Sequence, residues 1–263
     1  MYIGKFLAYV DVVSYPLIIH DNLHDVDLSF YEDYNRGVLN SLDNDVIGLN
    51  GDVLTVANVS KYLGLKSHWL LLRNYIWVFE RKPWLSNEGL VSTLHYGSAA
   101  DAMLRLFKHI TGFNFEIINY NEPNNVIEDL ERGEVDAIVL PMGFPLLRRR
   151  VNTHHLFWVK SYPLDRLFLQ YLGYTPPGFY AMAVRDGFAK LIEELYVRGI
   201  AMLRAKDGVM KLKIRLKDLF RIDAQPEILH QIIANTRFEP LNGTCMKALM
   251  GKLKNIYGEG III

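Results

Sequence analysis

Four short stretches of the sequence set hydroxyl, amide, carboxyl or apolar groups beside residues that turn the chain. The first is Ser14 and Tyr15 in VVSYPLI; the second is Asn50, Gly51 and Asp52, directly after DVIGL. The third is His95, Tyr96, Gly97 and Ser98 in STLHYGSAADAMLRLF; the fourth is Met142, Gly143 and Phe144, after VDAIVLP. The chemistry on offer is recognition rather than bond making. The third stretch reads as a strand that breaks at Tyr96-Gly97-Ser98 and continues as an amphipathic helix. A helix N-terminus presents unpaired N–H groups and the positive end of its dipole, which suits a carboxylate or phosphate. Ser98 adds a hydroxyl, Gly97 lets the backbone come close, and His95 and Tyr96 flank a ring or acid group. Ser14 and the amides beside it offer a hold on a polar group. Gly51 permits positive φ or close ligand approach. Met142, Gly143 and Phe144 offer an apolar wall.

Each stretch also has a purely structural use. Ser14, Asp52 and Ser98 are good N-cap residues. His95 fits the alternation of a packed strand, and Gly143-Phe144-Pro145 makes a tight turn. The two uses separate on geometry: a site requires Ser14, Asn50, Gly143 and Ser98 to surround one space.

The elements that would position them alternate between strand and helix. KFLAYVDVV, VDLSFY and DVIGLNG read as strands; helices start at SYPLII and run through YNRGVLNSL and DVLTVANVSKYLG, the last closed by Gly64. HWLLLRNYIWVFERK reads as one long strand or a bent pair. A second round follows, with LVSTLHY, FNFEIINY and VDAIVLPMG as strands and SAADAMLRLFKHITG and PNNVIEDLERG as helices. FYAMAVR is one more strand, and from Asp186 onward the chain reads as helical. Alternation of this kind implies parallel strands joined by crossovers. LNSLDNDVIGLNGDVL and IEDLERGEVDAIVLPMGFPL share one plan, so two α/β lobes built alike are expected. The Pro- and Gly-bearing joins at 80–89 and 172–180 place the first part of lobe 1 at 1–86, lobe 2 at 87–177, and the completion of lobe 1 with the C-terminal helices at 178–263. Ligands of such sheets sit beyond the carboxyl ends of strands, and that rule selects the four stretches above.

Composition narrows the function. The 263 residues are 50% apolar and 12% aromatic, enough for a packed core. Lys plus Arg and Asp plus Glu are both 29, which gives no reason to expect nucleic acid as a partner. The single cysteine, Cys245, excludes an internal disulfide, and with no signal peptide or membrane span evident the expected location is the cytoplasm. His154 and His155 lack partners at metal-ligand spacing, so no metal is expected. No nucleotide-binding glycine motif or nucleophile elbow occurs, so no cofactor is expected either. LRRR at 147–150 reads as a solvated face, or as a cleft rim that neutralises a polyanion.

VVSYPLI, STLHYGSAADAML, EVDAIVLPMG and YLGYTPPGFYAMAVR occur in the order and spacing of a known group. The chain resembles the chorismate-dehydratase-like proteins of the futalosine route to menaquinone, which have the type II periplasmic-binding-protein-like fold. The resemblance implies two lobes, each a helix-flanked, mostly parallel sheet, with a helical C-terminal tail. It departs at Val13, where those enzymes carry an Asn before Ser-x-Pro-Leu; Val cannot bond a substrate or move a proton. Three functions are therefore expected to compete: capture of a small anionic, carboxylate-bearing molecule without catalysis; a chorismate-dehydratase-like lyase; and a ligand-sensing or protein-interaction module. The oligomeric state is left open.

Overall fold

In a computed structural model of the chain, residues 2–21, 23, 26–31, 45–71, 73–143, 159–176, 179–237 and 244–258 are described, with 67–71 and 244–250 as backbone alone. The first sheet holds β1 (Gly4–Tyr9), β2 (Val26–Tyr31), β3 (Val46–Asp52), β4 (Ser67–Leu71) and β10 (Tyr180–Val184), in the order β2-β1-β3-β10-β4. The second holds β5 (Ile76–Glu80), β6 (Leu90–Leu94), β7 (Glu116–Tyr120), β8 (Ala137–Pro141) and β9 (Lys160–Pro163), in the order β7-β6-β8-β5-β9.

The two sheets follow one plan. In each, the first strand of the parallel set lies between two parallel neighbours: β1 between β2 and β3, and β6 between β7 and β8. In each, the last strand of that set also pairs antiparallel with a strand that has just crossed from the other lobe, β10 on β3 and β5 on β8. The two similar sequence segments end on β3 and β8, the equivalent strands. HWLLLRNYIWVFERK is thus a pair split between sheets. Ile76–Glu80 lies before residue 87, where the second lobe was expected to begin, yet it pairs in the second sheet. The physical reason is the edge of β8, which the strand entering the second lobe covers with five cross-strand pairs, from Ile76↔Pro141 to Glu80↔Ala137.

Helices flank both sheets. They are α1 (Tyr15–Ile18, entered from a 3-10 turn at Val12–Ser14), α2 (Val53–Leu63), α3 (Ala99–Thr111), α4 (Pro123–Arg132) and α5 (Asp165–Leu172), then the tail helices α6 (Ala189–Arg204), α7 (Gly208–Phe220), α8 (Pro226–Asn235) and α9 (Thr244–Tyr257). The helix expected over YNRGVLNSL lies outside the described residues. α3 shows how the local sequence works: Ser98 accepts from Asp101 N–H at 3.2 Å as its N-cap, and its apolar face buries Met103, Leu104, Leu106 and Phe107. One apolar core runs through both lobes, from Phe6 and Leu49 to Val91 and Phe107; a smaller one lies under α4.

The tail helices hold the first lobe from behind. Tyr196 on α6 donates to the Val13 carbonyl at 2.6 Å, His20 meets the Leu195 carbonyl at 2.8 Å, and Arg215 on α7 donates to the Ile18 carbonyl at 3.1 Å. Gly199 brings α6 so close that a Cβ there would run into the Pro16 carbonyl. The short turn carrying Ser14 and Tyr15 is therefore fixed by long-range contacts rather than by its own length. Among the described residues, no helix is long and apolar enough to cross a membrane.

Candidate functional site

The carboxyl ends of β1, β3 and β8 and the start of α3 meet where the lobes touch. Asp11, two residues past the end of β1, is 1% exposed. Its Oδ1 accepts from Val12 N–H at 2.7 Å and from the Tyr75 hydroxyl; its Oδ2 accepts from the Tyr180 hydroxyl at 3.3 Å. Tyr75 and Tyr180 pack edge to face, with ring centres 5.1 Å apart. Gly143, after β8 in the second lobe, lies directly on this group: a Cβ there would sit 3.0 Å from both Asp11 Oδ1 and Tyr75 Oη. Burial pushes the Asp11 carboxyl up to about 6, against the downward pull of its three hydrogen bonds. Burial and the neighbouring Asp11 also raise the Tyr15, Tyr75 and Tyr180 phenols well above their ordinary value, so all three remain neutral donors.

Asn50 is the second node. Its Oδ1 accepts from Tyr9 N–H at 2.9 Å and from Ser14 Oγ at 3.0 Å. A backbone N–H can only donate, so this oxygen is fixed and the amide NH2 points the other way. That Nδ2 is buried and has no hydrogen-bond partner; neither has the buried Tyr15 Oη. The Tyr31 hydroxyl donates to the Asn50 carbonyl, and Gly51, at φ 157°, leaves room for it: a Cβ would overlap that hydroxyl.

Asp52 carries a further bond between the lobes. It stands at the N-cap of α2 without making a side-chain cap there. Its Oδ1 accepts from Ala99 N–H at 3.1 Å, at the first residue of α3 in the other lobe. The helix start expected to hold a ligand's anion thus already holds a carboxylate from the protein. The expected cap at Ser14 is likewise corrected: its hydroxyl makes no cap bond to α1 and donates instead to Asn50.

The structure therefore brings Ser14, Tyr15, Asn50, Gly51, Asp52, Gly97, Ser98 and Gly143 to the inter-lobe contact. Gly97, at φ 85°, faces Leu54 of α2, with a Cβ position 3.5 Å from the Leu54 side chain. Met142 is half-buried, and its N–H donates to the Tyr75 carbonyl at 2.8 Å, which extends the β5–β8 pairing within the second lobe. Tyr96 is not among them. It is 50% exposed and stacks on Arg105 and edge-on against Tyr257 of α9. His95 is half-buried, and its carbonyl accepts from Ser98 N–H at 3.0 Å. Phe144 lies outside the described residues.

Sequence reasoning missed Tyr9, Asp11, Tyr31, Tyr75 and Tyr180. Asp11 carried a signal: a lone acid closing an apolar strand run. The tyrosines carried none, because each reads as an ordinary strand or core aromatic. Next to the cluster, Asp101 is fully buried and accepts from Gly97 N–H at 2.9 Å, Arg105 at 2.8 Å, Asn119 at 2.9 Å and Tyr257 at 2.6 Å. It fastens α9 to the turn before α3. A separate cavity of about 270 Å³ on the second lobe is lined by Glu80, Trp84, Lys160, Tyr162 and Arg166. Among the described residues, no group of His, Cys, Asp and Glu is placed to hold a metal ion.

Two sheets of matching topology, joined by two crossovers and meeting at the carboxyl ends of their strands, define the type II periplasmic-binding-protein-like fold. Solved structures agree on the fold. An ABC transporter protein from Parabacteroides distasonis superposes with a TM-score of 0.71 at 11% identity, over 99% of this chain and 95% of that one. The periplasmic aliphatic sulphonate binding protein SsuA from Escherichia coli gives 0.67 at 12%, over 100% and 94%. The alkanesulfonate-binding protein SsuA from Xanthomonas axonopodis pv. citri, bound to MOPS, gives 0.58 at 12%, over 99% and 94%. Over residues 5–146 the sequence matches the family described as protein of unknown function (DUF3834), and the chain belongs to that family. No functionally curated protein matches it.

Proposed function

We propose that the protein captures a small solute between its two lobes, at the Asp11–Asn50–Asp52 cluster. The observation that carries this is the pair of unpartnered buried atoms, Asn50 Nδ2 and Tyr15 Oη, at the inter-lobe contact. A buried polar group without a partner costs about 1–3 kcal/mol, and a bound solute that satisfied both would recover much of that. The fold supports the reading by likeness, since two of the structural relatives above are described as sulphonate-binding. The expected anionic solute fits only if its acid group replaces Asp52 on the Ala99 N–H, so anionic, neutral and cationic solutes form separate arms of the test. Thermal unfolding against such a panel is the experiment. A solute that raises the melting temperature in a saturable way supports capture; no shift from any class at millimolar concentration refutes it.

A second reading is the chorismate-dehydratase-like lyase. Asp11 favours it: a buried carboxyl held near 6 has the pKa of a general base, the group that sequence reasoning could not find. Chorismate unchanged after prolonged incubation with the protein removes this reading.

A further inference from the structure

We infer that the solute captured at this cluster is a small amine that carries a hydrogen-bond acceptor a few atoms from its nitrogen. The inference rests on the capture reading and names its ligand class. The groups left open at the cluster set the pattern. A carboxylate can accept about four hydrogen bonds. Asp11 Oδ1 uses two, while Oδ2 receives only the long bond from Tyr180. Tyr15 Oη is unpartnered. These two oxygens are the acceptors that an ammonium N–H seeks. Asn50 Nδ2 is the open donor, and it needs an acceptor on the same ligand. Ser14 spans the two ends, its N–H on the Asp11 carbonyl at 2.9 Å and its hydroxyl on Asn50 at 3.0 Å.

Charge points the same way. Asp11 is fully buried, and no Lys or Arg among the described residues pairs with it or lowers its pKa. Its neighbours Tyr75, Tyr180 and Tyr15 are neutral phenols. A buried carboxylate without a counter-ion is costly, and a ligand cation offsets that cost. An anion at the same place meets the Asp11 charge, and it must also displace Asp52 from Ala99. The amine binds the ionised form of Asp11, so its affinity rises with pH as that carboxyl gives up its proton.

Calorimetric titration with small primary and secondary amines, beginning with ethanolamine, reads the charge directly when ethylene glycol and acetate serve as neutral and anionic counterparts. The expected result is saturable binding of an amine with no binding of the other two. Asp11→Asn then weakens it by about ten-fold or more, and Tyr15→Phe by several-fold. Tyr15→Phe removes only an unpartnered hydroxyl, so it stays folded and reports on the site even if the Asp11 variant does not. If acetate or ethylene glycol binds and no amine does, capture stands and the amine class is overturned. If an amine binds both variants as tightly as the parent, it sits elsewhere and the inference is overturned. If nothing in any charge class binds, the capture reading falls with it and the orphaned atoms hold water.

Discussion

Asp11→Asn tests the electrostatics of the inter-lobe contact through stability, without reference to any ligand. The Asp11 carboxyl titrates at about 6 in the folded protein, raised by burial from an ordinary 3.8. Between these values the folded state keeps a proton that the unfolded chain has released, so stability falls as pH rises across the window. A rise of this size corresponds to about 3 kcal/mol, present in full below the unfolded value and lost once pH passes the folded value. Asparagine keeps an oxygen for Val12 N–H and the Tyr75 hydroxyl, and its amide can donate to Tyr180 Oη, but it cannot ionise. The stability of the variant minus that of the parent is therefore predicted to climb by up to about 3 kcal/mol between about pH 4 and pH 7 and then level off. Urea unfolding across that range measures it, and the difference cancels carboxyls common to both proteins, such as the buried Asp165, also raised by burial. The groups facing Asp11, namely Tyr75, Tyr180 and Tyr15, titrate far above the window. A difference flat with pH, or one that falls as pH rises, refutes the reasoning.

Three further substitutions follow from single contacts. Asp52→Ala removes the acceptor on Ala99 N–H, so the start of α3 loses about 1 kcal/mol of stabilisation and the inter-lobe contact loosens; urea unfolding and solution scattering read the two effects. Gly199→Ala would stabilise an ordinary helix by about 1 kcal/mol. Here the new methyl meets the Pro16 carbonyl, and a net loss of about 1–3 kcal/mol is predicted in chemical denaturation. Tyr257→Phe keeps the ring contact with Tyr96 but takes a donor from buried Asp101; a loss of about 1–2 kcal/mol and faster amide exchange in α9 are expected.

Much of the fold was legible because its signals are local. The periodicity of SAADAMLRLFKHITG, the cap at Ser98 and the closing Gly112 define α3 without outside help. The two similar segments ending on β3 and β8 announced the paired lobes. Other features depend on partners distant in sequence. KLKIRLK in α7 alternates apolar and charged residues with a strand-like period of two, yet it is helical: Leu212 and Leu216 alone reach the core, while Ile214 is 54% exposed. Ser14 and Asp52 both looked like caps for the helices that follow them. Ser14 turned to Asn50 and Asp52 to Ala99, because a cap bond is satisfied as well by a neighbour in space as by one in sequence. The tyrosines gave no warning for the same reason; what distinguishes Tyr15, Tyr75 and Tyr180 from core aromatics is a carboxylate supplied by the end of β1.

The most direct test of capture is the distance between the lobes. Tyr62, on the exposed side of α2, and Glu128, on α4, can each be replaced by a spin-labelled cysteine in a Cys245→Ser background, and pulsed electron resonance then gives the distance distribution. Two populations are predicted without solute, the longer vanishing as a solute that stabilises the protein is added. A single distribution that stays the same with and without that solute would contradict capture between the lobes.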